Sequence, residues 1–222
     1  MARVRDRIVS AGGDPARVTV VAVTKGFGPV AVAVARAGGV ADLGENYAQE
    51  LARKAGASEA RDPGLGPAVR WHAIGRLQRN KVRSLARSVA LWQSVDREPL
   101  AAEIARRCPG ASVLVQVNVS DEMQKGGCAP EETSALVRAA RELGLDVRGL
   151  MAVGAEGGPD AAGPGFALLR RLADDLGLEE RSMGMSADLE AAVAAGSTMV
   201  RIGTALFGFR PRTASGPAGT AH

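Results

Sequence analysis

The chain has 222 residues, of which 46% are hydrophobic, 23% charged and 3% aromatic, and its formal net charge is +4. This length and balance suit one globular domain with a buried core, and they exclude a disordered chain. No apolar run approaches the roughly eighteen residues that cross a bilayer and the amino terminus lacks the apolar segment of a secretory signal, so we expect a cytoplasmic protein without a membrane partner.

Apolar, strand-like runs recur along the chain with helical patterns between them. The predicted strands cover residues 18–24, 40–44, 69–74, 90–95, 112–119, 146–153, 181–184 and 198–203. Eight such units predict an α/β fold, a single-domain (β/α)8 or TIM barrel that spans residues 1–210. Because the seventh run is very short, an open doubly wound sheet of seven strands stays as the alternative, although no GxGxxG follows the first strand.

Segments between the strands carry alanine, leucine and arginine at helical spacing. Helices are predicted at REPLAAEIARR (97–107), PEETSALVRAARELG (130–144) and SADLEAAVAAG (186–196), each with a capping residue at its start or a glycine at its end. The glycine- and proline-rich stretch 155–165 is predicted as a loop, and residues 211–222 as a flexible tail.

Lysine is scarce, since only four of the 28 basic residues are lysines. One of them, Lys25, directly follows the first predicted strand. In α/β barrels the carboxyl ends of the strands form the face where chemistry is done, and an amine that is partly desolvated there can condense with an aldehyde. From Lys25 alone, a side chain that simply reaches solvent past the strand end is an equally good explanation.

Polar segments also follow the seventh and eighth strands. Ser186 is placed to cap the next predicted helix, so its hydroxyl and the first backbone amides suit a phosphate, although a plain helix cap is the alternative. Gly203 allows a close backbone approach to a ligand, and Thr204 adds a hydroxyl and an amide. Phosphate sites in barrels often follow strands seven and eight, so this pattern and the amine on strand one predict a pyridoxal phosphate site.

Five segments, AVTKG, LGENYAQE, WHAIGRLQRNK, VNVSDEMQKGG and SMGMSADLEAAVAAGSTMVRIGTALFG, resemble the YggS/PROSC family of pyridoxal phosphate homeostasis proteins. The resemblance runs in order from Val18 to Gly208. It implies a barrel of the alanine racemase kind, fold type III among pyridoxal phosphate proteins, without the additional β domain of the racemases. Because one chain supplies every site residue, we expect a monomer.

Carried over motif by motif, the resemblance implies a set of roles around the cofactor. Lys25 forms the internal aldimine, Asn46 and His72 line the ring pocket, Ser186, Gly203 and Thr204 bind phosphate, and Arg201 faces the pyridine nitrogen. A guanidinium only donates hydrogen bonds, so Arg201 disfavours a protonated pyridinium and weakens the cofactor as an electron sink. The resemblance also implies that Lys125 takes the aldehyde transiently and passes it on, although an exposed loop lysine explains that residue equally well.

Three functions follow from these patterns. The first is a protein with little or no catalysis that holds pyridoxal phosphate and delivers it to apoenzymes, affecting amino-acid and keto-acid pools. The second is an amino-acid racemase or another weak amino-acid enzyme, with Lys25 as one base and His72 or Tyr47 as the other. The third is a nucleic-acid or protein interaction module built on RLQRNKVRSLARS (76–88).

We expect no nucleic-acid partner, because the aromatic residues that would stack on bases are few and a solvated face of arginines explains the basic segment. We also expect no metal site. Cys108 and Cys128 lie far apart without a CxxC pattern, and only His72 and His222 could join them.

Overall fold

Parallel strands pair in chain order in the computed structural model, and the last strand pairs with the first to close a barrel. The structure describes residues 1–57, 60, 62–120 and 122–208. The strands are β1 Thr19–Val23, β2 Asp42–Glu45, β3 Arg70–Ala73, β4 Val89–Val95, β5 Ser112–Gln116, β6 Asp146–Met151, β7 Glu180–Ser182 and β8 Met199–Ile202. The predicted TIM barrel is therefore confirmed. The open sheet is wrong, because the short β7 pairs with both β6 and β8.

Helices cover the outside of the barrel. In the described part of the chain they are α1 Ala2–Ser10, α2 Val30–Ala37, α3 Ala48–Gly56, α4 Arg79–Leu85, α5 Glu98–Arg107, α6 Thr133–Glu142, α7 Pro159–Asp175, α8 Leu189–Ala194 and α9 Thr204–Phe207. Short 3-10 helices lie at Pro63–Leu65, Met123–Lys125 and Pro130–Glu132. Within the described residues, no helix combines the length and the apolar character that a membrane crossing needs. The tail predicted at 211–222 lies outside the described residues.

The stretch predicted as a loop at 155–165 is wrong from residue 159 onward, where α7 begins. Gly158 precedes the helix with a φ of 95°, and Pro159 occupies its first turn, where a missing N–H costs nothing. Pro164 lies inside the helix and costs about 3 kcal/mol. Phe166 and Leu169 are fully buried, and at about 1.5–3 kcal/mol each their burial outweighs that cost. Local composition therefore predicted a loop where packing against the barrel makes a helix.

The inside of the barrel is partly apolar and partly polar. An apolar cluster is formed by Val21, Leu91, Leu114, Met151 and Met199, one residue from each of five strands. Barrel interiors are normally filled by such layers of inward-pointing side chains. Four strands also contribute buried polar side chains to the interior, namely His72, Gln93, Ser182 and Arg201.

Strands β6 and β7 approach each other closely at Gly149. A Cβ added to Gly149 would lie 1.9 Å from the carbonyl oxygen of Glu180. We expect Gly149→Ala to lower the free energy of unfolding by about 3 kcal/mol, since the two strands must separate. Gly163→Ala on α7 is the control, because its Cβ would meet no atom within 4 Å other than its chain neighbours. It should change the free energy of unfolding by less than about 1 kcal/mol, since the helix preference of alanine over glycine is opposed by its position before Pro164. Equal urea midpoints for the two variants would contradict this account of the barrel.

Candidate functional site

A cavity of about 280 Å³ opens at the carboxyl ends of the strands. Six of the residues predicted from the sequence line it, namely Lys25, Asn46, Ser186, Arg201, Gly203 and Thr204. Lys25 follows β1, Asn46 follows β2, Ser186 follows β7, and Gly203 and Thr204 follow β8. Parallel strands end on one face of a barrel, so residues far apart in sequence converge here.

A larger open cavity of about 1010 Å³ lies at the opposite end of the barrel. It is lined by the segments that precede β1, β7 and β8, and none of the predicted site residues borders it. In barrels of this type the chemistry is done at the carboxyl ends of the strands. The smaller cavity is therefore the candidate site, despite its size.

Lys54 of α3, which sequence analysis did not assign to the site, is fully buried next to the residue that precedes Lys25. Its Nζ donates to Oε1 of Glu45 at 2.5 Å and to the carbonyl oxygen of Thr24 at 2.7 Å. The Thr24 hydroxyl donates to the same Glu45 oxygen at 2.5 Å. The backbone immediately before Lys25 is thus held by a buried ion pair.

A third carboxylate extends this network to the other side of Lys25. Glu50 Oε2 lies 3.2 Å from Lys54 Nζ and accepts a hydrogen bond from the backbone amide of Gly26 at 2.9 Å. Residues on both sides of Lys25 are therefore tied to the same cluster, which sets the direction in which the Lys25 side chain leaves the backbone.

Within this cluster, burial acts most strongly against the ionised form of Glu45. Burial raises the pKa of the Glu45 carboxyl, and the hydrogen bonds from Lys54 and Thr24 oppose that rise. Glu45 Oε2 is buried and has no hydrogen-bond partner among the described residues. The ammonium group of Lys54 is the charge that makes ionised Glu45 tolerable in the interior.

In the sequence, Lys54 stands out only as a rare lysine four residues after Glu50. Such i,i+4 pairs are ordinary on solvated helix faces and contribute only a few tenths of a kcal/mol there, about 0.2–0.5. What singles out Lys54 is its burial, and burial depends on how α3 packs beside the strands.

Arg201, near the end of β8, is only 4% exposed and lies at the inner side of the cavity. Its guanidinium donates to the carbonyl and hydroxyl oxygens of Ser182 at 2.8 and 2.7 Å and to the carbonyl oxygen of Ala152 at 2.7 Å. Burial lowers the pKa of Arg201 to about 10, and the negative charge of Asp188 partly opposes that fall. The group therefore remains a cation at neutral pH.

His72 does not line the cavity, although sequence analysis expected it in the ring pocket. It is 3% exposed inside the barrel, where Nε2 lies 2.9 Å from Asp42 Oδ1 and Nδ1 lies 2.6 Å from Gln93 Nε2. Burial opposes the ionisation of Asp42, but hydrogen bonds from His72 and Arg70 outweigh it and lower the pKa of Asp42 to about 2. At this position of β3 the side chain points into the barrel, and the sequence motif does not show that direction.

Ser186 lines the cavity, but the expected helix cap is wrong. Helix α8 begins at Leu189 with Asp188 before it, and Ser186 lies in the preceding turn. The Ser186 hydroxyl accepts a hydrogen bond from the backbone amide of Ala205 at 3.4 Å. It therefore links the loops after β7 and β8 at the edge of the cavity.

The amino-terminal helix holds the same loop from outside. Arg7 of α1 donates to the carbonyl oxygen of Ser186 at 3.0 Å and pairs with Glu190 through two hydrogen bonds of 2.6 and 2.7 Å. Although α1 is short, it is thus fastened to the wall of the cavity.

Lys125 and Tyr47 do not line the cavity. Lys125 Nζ donates to Glu122 Oε1 and to the carbonyl oxygen of Gly154, both at 2.6 Å. Tyr47, one of the two residues considered as a second base, is 60% exposed. The structure therefore brings together six of the predicted residues and leaves Lys125, His72 and Tyr47 outside the lining.

Comparison with known proteins first defines the class. Residues 3–211 match the family model of the alanine racemase N-terminal domain. An alanine racemase from Clostridium difficile superposes with a TM-score of 0.69 at 16% identity, over 96% of this chain and 57% of that chain. That likeness concerns the fold alone.

Nearer relatives identify the family. A pyridoxal phosphate homeostasis protein from Pseudomonas aeruginosa is 46% identical over 217 residues, which is 94% of this chain and 92% of that protein. The structure of PipY from Synechococcus elongatus, with pyridoxal phosphate bound, superposes with a TM-score of 0.77 at 31% identity, over 92% of this chain and 100% of that chain. The chain belongs to the family of pyridoxal phosphate homeostasis proteins, as the sequence motifs predicted.

Removing the Lys54 amine should strongly destabilise the fold. We expect Lys54→Met to lower the free energy of unfolding by about 3 kcal/mol, because it leaves Glu45 buried without its cation. Lys81→Met on α4 is the matched control outside the cluster and should change little. A Lys54→Met/Glu45→Leu double variant should recover part of the loss. Urea unfolding measures all three, and equal losses for Lys54→Met and Lys81→Met would contradict the role of the pair.

Proposed function

We propose that this protein binds pyridoxal 5′-phosphate in the cavity at the carboxyl ends of the strands and holds it for delivery to apoenzymes. One observation carries the proposal. Six residues that the motifs assign to the cofactor, from the ends of four different strands, converge on one cavity in a chain 31% identical to a protein solved with pyridoxal phosphate bound.

The donors and acceptors around the cavity fit such a ligand. Asn46 Oδ1 is buried and has no hydrogen-bond partner within the described residues, so a bound group with an N–H or O–H would satisfy it. A Cβ at Gly203 would meet only Val23 atoms, at 3.4 and 3.6 Å. Packing inside the protein thus tolerates a larger residue there, and close approach by a ligand explains the glycine.

In this proposal each of the six predicted residues that line the cavity has one role. Lys25 supplies the amine that attaches the cofactor covalently, and Ser186, Gly203 and Thr204 bind the phosphate through hydroxyl and backbone N–H groups. Asn46 and Arg201 contact the ring. When bound, the cofactor supplies a reactive aldehyde and an electron-withdrawing ring. Lys54 and Glu50 hold the backbone of the residues on either side of Lys25 and so orient the Lys25 amine towards the cavity.

Arg201 favours holding the cofactor over using it. A guanidinium can only donate to the ring nitrogen, and the three acceptors from Ser182 and Ala152 keep it charged and oriented. An amino-acid enzyme with Lys25 as one base also needs a second base, and the two side chains considered for that role lie outside the cavity lining. These features support homeostasis more than racemisation.

The proposal extends to a cytoplasmic monomer. The six residues that the motifs assign to the cofactor belong to one copy of the chain and line one cavity, so a monomer is sufficient for the proposed binding. Lys125 has a proposed secondary role, because its bond to the Gly154 carbonyl places it beside the loop that leaves β6, near Val153 of the cavity lining. There it would receive the aldehyde during transfer.

Attachment through Lys25 predicts a specific chemical label. We expect pyridoxal phosphate to produce a visible absorbance band, and borohydride to fix the cofactor on the peptide that contains Lys25, as read by mass spectrometry. Lys25→Ala should lose that label while keeping its fold by circular dichroism, and Lys81→Ala should keep both. Absence of the band in the unmodified protein would overturn cofactor binding, whereas a label elsewhere in the unmodified protein would overturn only the assignment of Lys25.

Delivery predicts transfer without turnover. We expect the loaded protein to restore the activity of the apo form of a pyridoxal phosphate enzyme, and to exchange the α-proton of amino acids no faster than free cofactor does. As a control, the loaded protein and the apoenzyme are placed on opposite sides of a dialysis membrane. The rate of reactivation in that arrangement measures simple release of the cofactor. Enzymatic α-proton exchange would favour the racemase, and failure to reactivate any apoenzyme within hours would contradict delivery.

A further inference from the structure

A chain of buried hydrogen bonds crosses the inside of the barrel from Arg201 to Asp42. Arg201 donates to the Ser182 hydroxyl at 2.7 Å, and that hydroxyl donates to Oε1 of Gln93 at 2.7 Å. Gln93 Nε2 lies 2.6 Å from His72 Nδ1, and His72 Nε2 lies 2.9 Å from Asp42 Oδ1. We call these five residues the interior relay.

The relay must pass through the barrel interior, because Gln93 lies on β4 and Ser182 on β7 and these strands are not neighbours. Each member of the relay is at most 8% exposed. Ser182 and Gln93, at its centre, are fully buried, so a link lost there leaves a buried polar group unpaired at a cost of about 1–3 kcal/mol.

The hydrogen bonds of the relay all run in one direction. Gln93 uses its second amide hydrogen on the sulfur of Met199 at 3.0 Å, which places its oxygen towards Ser182 and its nitrogen towards His72. His72 Nδ1 is therefore an acceptor, and its Nε2–H donates to the ionised carboxylate of Asp42. Every donor thus points away from the Arg201 cation and towards the Asp42 anion, so the bonds polarise one another.

We propose that Gln93 and Ser182 are positioning residues for Arg201, which couple its guanidinium to the His72–Asp42 pair and make the His72 imidazole respond to what occupies the cavity. This inference rests on the proposed function, because it takes the ring of pyridoxal phosphate as the group that contacts Arg201. It gives His72 a role that its distance from the cavity lining otherwise leaves unexplained.

The His72 ring nitrogens can be observed directly. The chain has two histidines, His72 and His222, so nitrogen-labelled histidine gives few resonances and a His222→Gln variant assigns them. In the cofactor-free protein we expect the Nε2–H tautomer at His72, with Nδ1 hydrogen-bonded. Gln93→Leu should move the Nδ1 resonance downfield because it removes the donor, whereas an unmoved resonance would overturn the relay.

The coupling to Arg201 is tested with the smallest available change. Ser182→Ala removes one hydroxyl and leaves the Gln93–His72 bond in place. Adding pyridoxal phosphate should shift the His72 resonances of the unmodified protein, and Ser182→Ala should lose that response although the cofactor still binds. Ser197→Ala is the matched control and should keep the response. Among the described residues, this buried hydroxyl has only backbone carbonyl oxygens within hydrogen-bond distance, those of Met183, Met199 and Arg181.

The outcomes separate this inference from the proposed function. If the cofactor attaches but His72 does not respond, or if Ser182→Ala responds like the unmodified protein, the relay is wrong and cofactor binding stands. If no cofactor binds, the proposed function fails, and Arg201→Lys then tests the relay alone. That change should move the His72 resonance in the unmodified background and not in Ser182→Ala. The same movement in both backgrounds, or in neither, would overturn the relay.

Discussion

The pairing of β1 with β8 is the contact on which the site depends. Thr19 lies opposite Met199 and Val21 opposite Arg201, so the first and last strands of the barrel run side by side. This register brings Lys25, just past β1, and Gly203, just past β8, to the same cavity from opposite ends of the chain. Such long-range pairing costs loop-closure entropy, which the intervening strands and helices offset by burying their apolar faces.

Buried charges then orient the two groups that matter most in the cavity. Lys54, Glu45 and Glu50 hold the backbone on both sides of Lys25, and Ser182 and Ala152 hold the guanidinium of Arg201. A buried ion pair contributes little net stability, but each partner is indispensable to the other. Loss of either partner of the Lys54–Glu45 pair therefore weakens the support of Lys25.

Complete hydrogen bonding allows this barrel to hold polar side chains in its interior beside the apolar cluster. Polar side chains inside a protein are costly unless each donor and acceptor finds a partner. From Arg201 to Asp42 every link is made, and the low local dielectric strengthens each one. The interior thus has a fixed orientation of its hydrogen bonds, a property that a fully apolar core lacks and that can connect the cavity to groups outside it.

Runs of β-branched residues, such as those in β1, and alternating helical segments were enough to predict the barrel, because local propensity and burial agree there. Motifs at strand ends were enough to place Lys25, Asn46, Arg201 and Gly203 around one cavity, since parallel strands end on one face. Tertiary packing alone decided that α7 extends through Pro164, that Lys54 is buried and that His72 points into the barrel. Those outcomes depend on which neighbours surround each side chain, and a linear sequence does not display its neighbours in space.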